Sequence, residues 1–345
     1  MTSIRASTSL RPPVRARDSV TPGLLVCALA VLLCLGLGRL LPTVSPLLIA
    51  IVLGAVLSNV VPLPAALKPG LAFASRRVLR VGVVLLGLQL ILSDIAGLGV
   101  GMIAVVVAVV AGGIVVSVLA GRLLGLSPSQ SLLIACGFSI CGAAAVAAVD
   151  GVIEADEQEV MTAVALVVVF GTVMIPLVPL AGHGIGLSTG QLGMWAGGSI
   201  HEVAQVVAAG GAIGGSALGV AVVVKLARVL LLAPVMAVVS LRLRRAVDPA
   251  AGVRATSGKR PPLVPLFVVG FLAMAVLAST GLVPGAVLAG SKVVQTAFLA
   301  AAMFALGCGV NLPALRRVGP RPVILAMIST MVVAATSLSG VLIFG

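Results

Sequence analysis

The chain has 345 residues, of which 60% are hydrophobic and 9% charged, with a formal net charge of +13. Soluble globular chains carry about 25% charged residues, and a mean hydropathy of +1.29 excludes an ordinary water-soluble domain. In so apolar a chain the positive balance reads as membrane topology, through Lys and Arg in cytoplasmic loops, and not as a nucleic-acid surface.

In chain order the sequence predicts a basic tail over 1–22 and then eleven apolar spans. They lie at 23–41, 46–61, 71–92, 96–120, 130–149, 160–181, 188–212, 217–241, 263–282, 292–310 and 322–344. Most hold about 17–25 residues, enough to cross about 30 Å of hydrocarbon as helices. The expected class is an all-α membrane protein of about 11 transmembrane helices. The first span has a basic flank, as a signal peptide has, but its apolar run exceeds the usual length of about 7–15 residues and no clean small-residue cleavage site follows. It is expected to be retained.

The charges suggest an orientation. Arg5, Arg11, Arg15 and Arg17 lie in the tail, Lys68 and Arg76 follow span two, and Arg122 follows span four. Arg242, Arg244, Arg245, Arg254, Lys259 and Arg260 follow span eight, and Arg316, Arg317 and Arg321 follow span ten. With an odd number of spans, all of these fall on the side of the N-terminus. The positive-inside rule makes that side cytoplasmic and the C-terminus external. Asp94, Asp150, Glu154, Asp156, Glu157 and Glu159 are then expected outside; Arg39 and Lys292 are exceptions.

Cys27, Cys34, Cys136, Cys141 and Cys308 all lie in apolar spans, without zinc or disulfide spacing, and read as packing residues. Cys136 and Cys141 flank a polar motif and so also have a site-lining reading. No nucleotide-binding loop or nucleophile elbow is present, so neither ATP-driven pumping nor a cofactor is implied.

Two internal similarities stand out. Gly137-Phe138-Ser139-Ile140 and the residues after it share Gly, Ser, Ile, Ala and Val at matching offsets with Gly197-Gly198-Ser199-Ile200 and its continuation, over 137–148 and 197–208. Arg77-Val78-Leu79-Arg80-Val81 in span three parallels Lys225-Leu226-Ala227-Arg228-Val229 in span eight. Spans three and eight run in opposite directions, as an inverted-topology repeat requires. This suggests a 5+5 repeat with broken helices, about 46–181 against about 188–345, plus one extra helix at 23–41. The first similarity fits less well, because spans five and seven have equal parity. Either one segment is re-entrant or both polar breaks arose locally.

The candidate site follows from residues too polar for bilayer depth. Gly197-Gly198 predicts a helix break just ahead of Ser199, His201, Glu202 and Gln205. Ionisable groups within a membrane mostly face a bundle interior or a solute path, and broken helices are how many secondary transporters build a substrate site. Ser139 and Ser199 sit where half-helix ends would open. Lys225 and Arg228, three residues apart, share one helix face. Their bland reading is a buried pair held by Glu202 or by carbonyls; their functional reading is a surface for an anion. Arg77 and Arg80 raise the same question, since 81–92 spans only about 18 Å as a helix and cannot cross alone. His201 and Glu202 are the candidate proton-coupling unit, against the bland reading of a satisfied core histidine. Trp195 reads as packing or interfacial.

These motifs, Cys136-Gly137-Phe138-Ser139-Ile140-Cys141-Gly142, Ser199-Ile200-His201-Glu202-Val203-Ala204-Gln205 and Lys225-Leu226-Ala227-Arg228-Val229, resemble those of the YeiH-type family of proposed sulfate exporters, as does Val84-Leu85-Leu86-Gly87. The resemblance covers nearly all of the chain after the tail. It implies a bacterial inner-membrane protein of about ten or eleven helices, related to the inverted-repeat fold of bile-acid and cation/proton transporters. The leading expectation is a secondary transporter of a small anion, with sulfate or a related sulfur oxyanion implied by the resemblance. Ser139, Ser199, His201, Gln205, Lys225 and Arg228 would bind it, and His201 and Glu202 would couple it to protons. The alternative is a cation/proton antiporter. An intramembrane enzyme is not expected, since His201 and Glu202 have no evident nucleophile partner. The expected surroundings are the lipid bilayer and the anion, with a homodimer left open.

Overall fold

The computed structural model describes residues 19–40, 46–153, 155–246, 265–309 and 319–345. Arg5, Arg11, Arg15, Arg17, Glu154, Arg254, Lys259, Arg260, Arg316 and Arg317 lie outside the described residues, as do the side chains of Arg244 and Arg245. The described elements are all helical. Six helices among them are long and apolar enough to cross a membrane: Thr21–Leu40, Gly99–Leu123, Glu157–Gly184, Ala217–Leu243, Gly285–Gly309 and Pro320–Phe344.

The elements are α1 (Thr21–Leu40), α2 (Pro46–Val60), α3 (Lys68–Phe73), α4 (Leu79–Leu86), α5 (Leu92–Ala96), α6 (Gly99–Leu123), α7 (Pro128–Cys136) and α8 (Ala143–Ile153). There follow α9 (Glu157–Gly184), α10 (Thr189–Ser199), α11 (Val203–Ile213), α12 (Ala217–Leu230), α13 (Leu232–Ala246), α14 (Leu266–Ser279), α15 (Gly285–Gly309) and α16 (Pro320–Phe344). A π-turn at Ala74–Val78 joins α3 to α4, and another at Gly137–Cys141 extends α7.

Side-chain and glycine contacts define the two ends of the bundle. At the near end Gly23 packs on the Leu67–Leu71 segment, Gly125 faces Arg321, and the Ser127 and Ser129 hydroxyls donate to the Glu159 carboxylate. At the far end the Leu92 N–H donates to Ser279 Oγ at 2.9 Å, Gly101 packs on Phe344, and Gly345 approaches Met194. Between these ends the described residues make nine passes, through α1, α2, α3–α4, α6, α9, α12–α13, α14, α15 and α16.

The two remaining segments turn back. Helix α7 enters from the near end, capped by Ser127 Oγ accepting from the Gln130 N–H at 3.1 Å. Gly142 then adopts φ +77°, a left-handed conformation natural only to glycine. Helix α8 returns, with Val146 against Gly137, and ends beside Glu159 where α7 began. Helix α10 enters from the far end behind a capping box of Ser188 and Gln191. The chain extends at Ile200 (φ −69°, ψ 146°) and Glu202 (φ −116°, ψ 152°), and α11 runs back. Gly193 and Gly210 both lie against the first turn of α12, near Ala217 and Leu218, so the two arms of this hairpin are antiparallel. Non-helical backbone at membrane depth is tolerated only where protein or a cavity surrounds it, and both tips are buried.

Three corrections follow. Spans five and seven are re-entrant hairpins and do not cross the bundle. Because the first hairpin returns, Asp150, Asp156, Glu157 and Glu159 sit at the same end as Lys68, Arg76 and Arg321, not opposite them; Asp150 and Glu157 share one cavity with Lys68 and Arg76. Nor does the second helix break at Gly197-Gly198: α10 runs through both to Ser199. Those glycines serve close packing, Gly197 against Ala221 and Val224, and Gly198 against Ser337. In chain order a hairpin is the fourth element after α1 in the first half but the first in the second half. The likeness of 137–148 to 197–208 joins two tips that enter from opposite ends.

Candidate functional site: where the hairpin tips meet

The two tips meet at the centre of the bundle, and α12 supplies the groups that hold them there. Helices carry partial negative charge on the free carbonyls of their C-termini. Here two such ends face each other, the π-turn after α7 and the last turn of α10. Lys225 and Arg228, both fully buried, lie between them. Lys225 Nζ donates to the carbonyls of Ile140 at 3.0 Å, Ile200 at 2.9 Å and His201. Arg228 Nε donates to the Ser139 carbonyl at 3.1 Å and Nη2 to the Phe138 carbonyl at 2.9 Å. Its Nη1 reaches the carbonyls of Gly197, Gly198 and Ile200 at 3.2, 2.8 and 3.0 Å. An ammonium has three donors and a guanidinium five, so Lys225 is saturated and Arg228 nearly so. In this conformation the cations close two helix ends, with their donors turned to backbone carbonyls.

His201 extends the link to α16. Its Nδ1 lies 3.1 Å from the Phe138 carbonyl and its Nε2 3.0 Å from Thr330 Oγ1. A carbonyl can only accept, so Nδ1 carries the proton. A neutral ring then accepts at Nε2 from the Thr330 hydroxyl, which otherwise donates to the Ala326 carbonyl at 2.9 Å. The Thr330 hydroxyl thus has two alternative acceptors, chosen by the charge state of His201. The Phe138 ring covers the imidazole at a centroid distance of 4.5 Å.

Glu202, 6% exposed, joins the tips directly. Its Oε1 accepts from the Ala143 N–H at 2.9 Å, at the start of α8. The carboxyl group there faces the positive end of the helix. Gln205 pins the same tip to α9: its Oε1 accepts from the Glu202 N–H at 3.1 Å, and its Nε2 donates to the Val168 carbonyl at 3.3 Å. Ser199 Oγ donates back to the Trp195 carbonyl at 2.5 Å, while Trp195 Nε1 donates to the Ala334 carbonyl at 3.0 Å. Ser139 Oγ is buried without a hydrogen-bond partner and lies against Gly113 of α6.

The six residues expected to bind substrate are thus brought together, and Glu202 with them. Arg77 and Arg80 are not. Arg77 is exposed, and Arg80 stands over the Phe267 ring at 5.7 Å from its centroid. Sequence reading missed Thr330, whose only signal was the polar pair Ser329-Thr330 inside an apolar span, and Phe138, whose role depends on the hairpin. It also missed a cavity of about 630 Å³ at the near end, lined by Lys68, Arg76, Asp150, Glu157, Cys308 and Ala143 among others. A smaller one of about 40 Å³ lies behind the tips, lined by Glu202, Cys141, Ala144, Val203 and apolar neighbours.

Residues 22–326 match a family described as "Conserved hypothetical protein 698". A UPF0324 membrane protein of Corynebacterium glutamicum is 58% identical over 94% of this chain and 92% of its own length. The chain belongs to the UPF0324 family of membrane proteins. Other UPF0324 members include a membrane protein of Pseudomonas aeruginosa, 38% identical over 94% of each chain. The inner membrane protein YeiH of Salmonella typhi is 37% identical over 82% of this chain and 81% of its own. The resemblance expected from the Ser-Ile-His-Glu and Cys-Gly-Phe-Ser motifs is borne out, and this UPF0324 chain is a membrane protein.

Proposed function

We propose that this UPF0324 protein is a secondary transporter of a small anion, and that the centre where the hairpin tips meet is its transport site. The observation that carries this reading is the pair of re-entrant hairpins, entering from opposite ends, that converge on two fully buried basic side chains and a single carboxylate. Each hairpin can open toward its own end, which alternating access requires. The cations supply a fixed positive background, since their own donors are held by carbonyls. Direct ligands for an anion come instead from the first N–H groups of α8 and α11, which point with the positive dipole ends toward Glu202. A cation/proton antiporter is the second reading. It is disfavoured because Glu202 already lies against a helix N-terminus, where a metal cation would meet the positive end.

Sulfate or a related sulfur oxyanion is the first substrate to test, on the strength of the family resemblance. His201 and Glu202 are the coupling candidates, and the near end is taken as cytoplasmic because Lys68, Arg76, Arg122 and Arg321 lie there. The positive-inside rule weighs Lys and Arg and gives acids little weight, so the acidic cluster at that end does not reverse it. The experiment is flux into proteoliposomes over roughly pH 5–8, where histidine commonly titrates. Anion-dependent uptake whose pH profile flattens in His201→Gln or Glu202→Gln supports the proposal. Sodium- or lithium-dependent proton movement without anion uptake would replace it with the antiporter.

A further inference from the structure

The first turn of α8 separates two spaces. Ala143 and Ala147 line the cavity of about 630 Å³ that lies at the near end. Ala144 lines the cavity of about 40 Å³ that holds Glu202 and Cys141. Adjacent residues of one helical turn therefore face the near-end space on one side and the hairpin centre on the other. That turn is fastened by one side chain of the opposite hairpin, through the bond from the Ala143 N–H to Glu202 Oε1 at 2.9 Å. Gly142, just before it, has φ +77°, and a Cβ there would strike the Glu202 side chain. The carboxylate thus lies flat on the hinge of the first hairpin.

We infer that Glu202 is the latch of the near-end gate: its carboxylate occupies the start of α8 as an internal anion, and its departure joins the near-end cavity to the hairpin centre. The inference rests on the transport reading and specifies where the near-end barrier lies. Within its own hairpin the Glu202 side chain also accepts from the Gln205 N–H in the capping box of α11; the small cavity adds no competing partner through Leu79, Val83, Leu86, Val229, Leu299 and Met303, which are apolar. The other ionisable groups around the tip are Lys225, Arg228, His201 and Cys141. The first three are engaged with carbonyls or Thr330, and Cys141 is a free thiol. An arriving anion can replace the carboxylate on the α8 N–H groups, so substrate entry and gate opening become one exchange.

Two native thiols report on the two spaces, Cys308 in the large cavity and Cys141 in the small one. A protein keeping only Cys308 should react with a small anionic thiol reagent applied at the near end, whatever stands at 202; an unreactive Cys308 would overturn the premise of an open cavity. A protein keeping only Cys141 should react slowly with Glu202 present. Glu202→Ala should speed it by about tenfold, the ratio that one lost hydrogen bond to a charged group represents. Glu202→Gln should fall between, since an amide oxygen still accepts but without charge. Should Glu202→Ala not assemble, the Gln variant carries the comparison. An unchanged Cys141 rate in folded variants, or acceleration only from the far end, would overturn the latch. The readout needs no substrate: a responsive gate in a protein that moves no anion would sink the transport reading alone.

Discussion

Lys225 and Arg228 donate to the same acceptor, the Ile200 carbonyl, at 2.9 Å from Nζ and 3.0 Å from Nη1. Like charges three residues apart on a helix repel. Their convergence is stable because the carbonyl ends of two half-helices supply the opposing partial charge. The carbonyl ends take the place of a counter-anion at the point where both hairpins stop, and the pair so ties two separate re-entrant segments to one helix.

Arg228 should therefore be a structural keystone whose fork shape matters as much as its charge. It reaches Ser139 and Phe138 on one hairpin and Gly197, Gly198 and Ile200 on the other. Lysine keeps the charge but has three donors on one atom. Arg228→Lys should lower stability in detergent by on the order of 3 kcal/mol, and Arg228→Met by more, because buried carbonyls lose their donors. Equal melting of Arg228→Lys and the parent protein would show that the carbonyl cap is dispensable.

Topology gives a sharp test of the hairpins. Asp156 and Arg321 are exposed at the near end and His183 is exposed near the far end of α9. Single cysteines at 156 and 321 should label from the same side of the membrane, and one at 183 from the other. An eleven-crossing chain would put 156 and 321 on opposite sides, and that result would remove the first hairpin.

Gly142→Ala should damage the first tip. A residue with a Cβ is strained at φ +77°, and the added methyl meets Glu202. Such strain costs on the order of 1–3 kcal/mol, before the displacement of the carboxylate is counted. A melting temperature equal to that of the parent would mean that the tip relaxes freely.

Much of this architecture was legible in the sequence, and the misses have physical causes. Hydropathy located the apolar segments, because burial in lipid demands it regardless of direction. It could not tell a crossing helix from two short helices that turn back, since 130–149 has the length of either. Glycine count misled at Gly197-Gly198, where close helix packing and not a break is what requires glycine. The single Gly142, with its left-handed φ, is the real break in the first hairpin. Lys225 and Arg228 stood out as costly, but nothing in the order of residues places their acceptors. Those are backbone atoms from segments about 25–90 residues away, as the bonds to Ile200 and Phe138 show, and hairpin geometry alone exposes them.

Gln205 reads in sequence as a substrate ligand, yet it bridges the Glu202 N–H and the Val168 carbonyl. Gln205→Leu should cost about 1–3 kcal/mol for each group left unpaired in the interior. Gln205→Glu keeps the acceptor for the Glu202 N–H and, protonated in place, still offers an O–H to the Val168 carbonyl, so it should cost less. A Leu variant as stable as the parent would release Gln205 for a ligand role.

The most direct measurement is counterflow of labelled sulfate, with other small oxyanions as competitors, in proteoliposomes holding the wild type or Arg228→Lys. The wild type should exchange at least one oxyanion, and a folded Arg228→Lys should lose most of that exchange because the hairpins no longer meet on one fork. No oxyanion exchange by folded wild-type protein, with proton movement driven by sodium or lithium in its place, would contradict the anion centre.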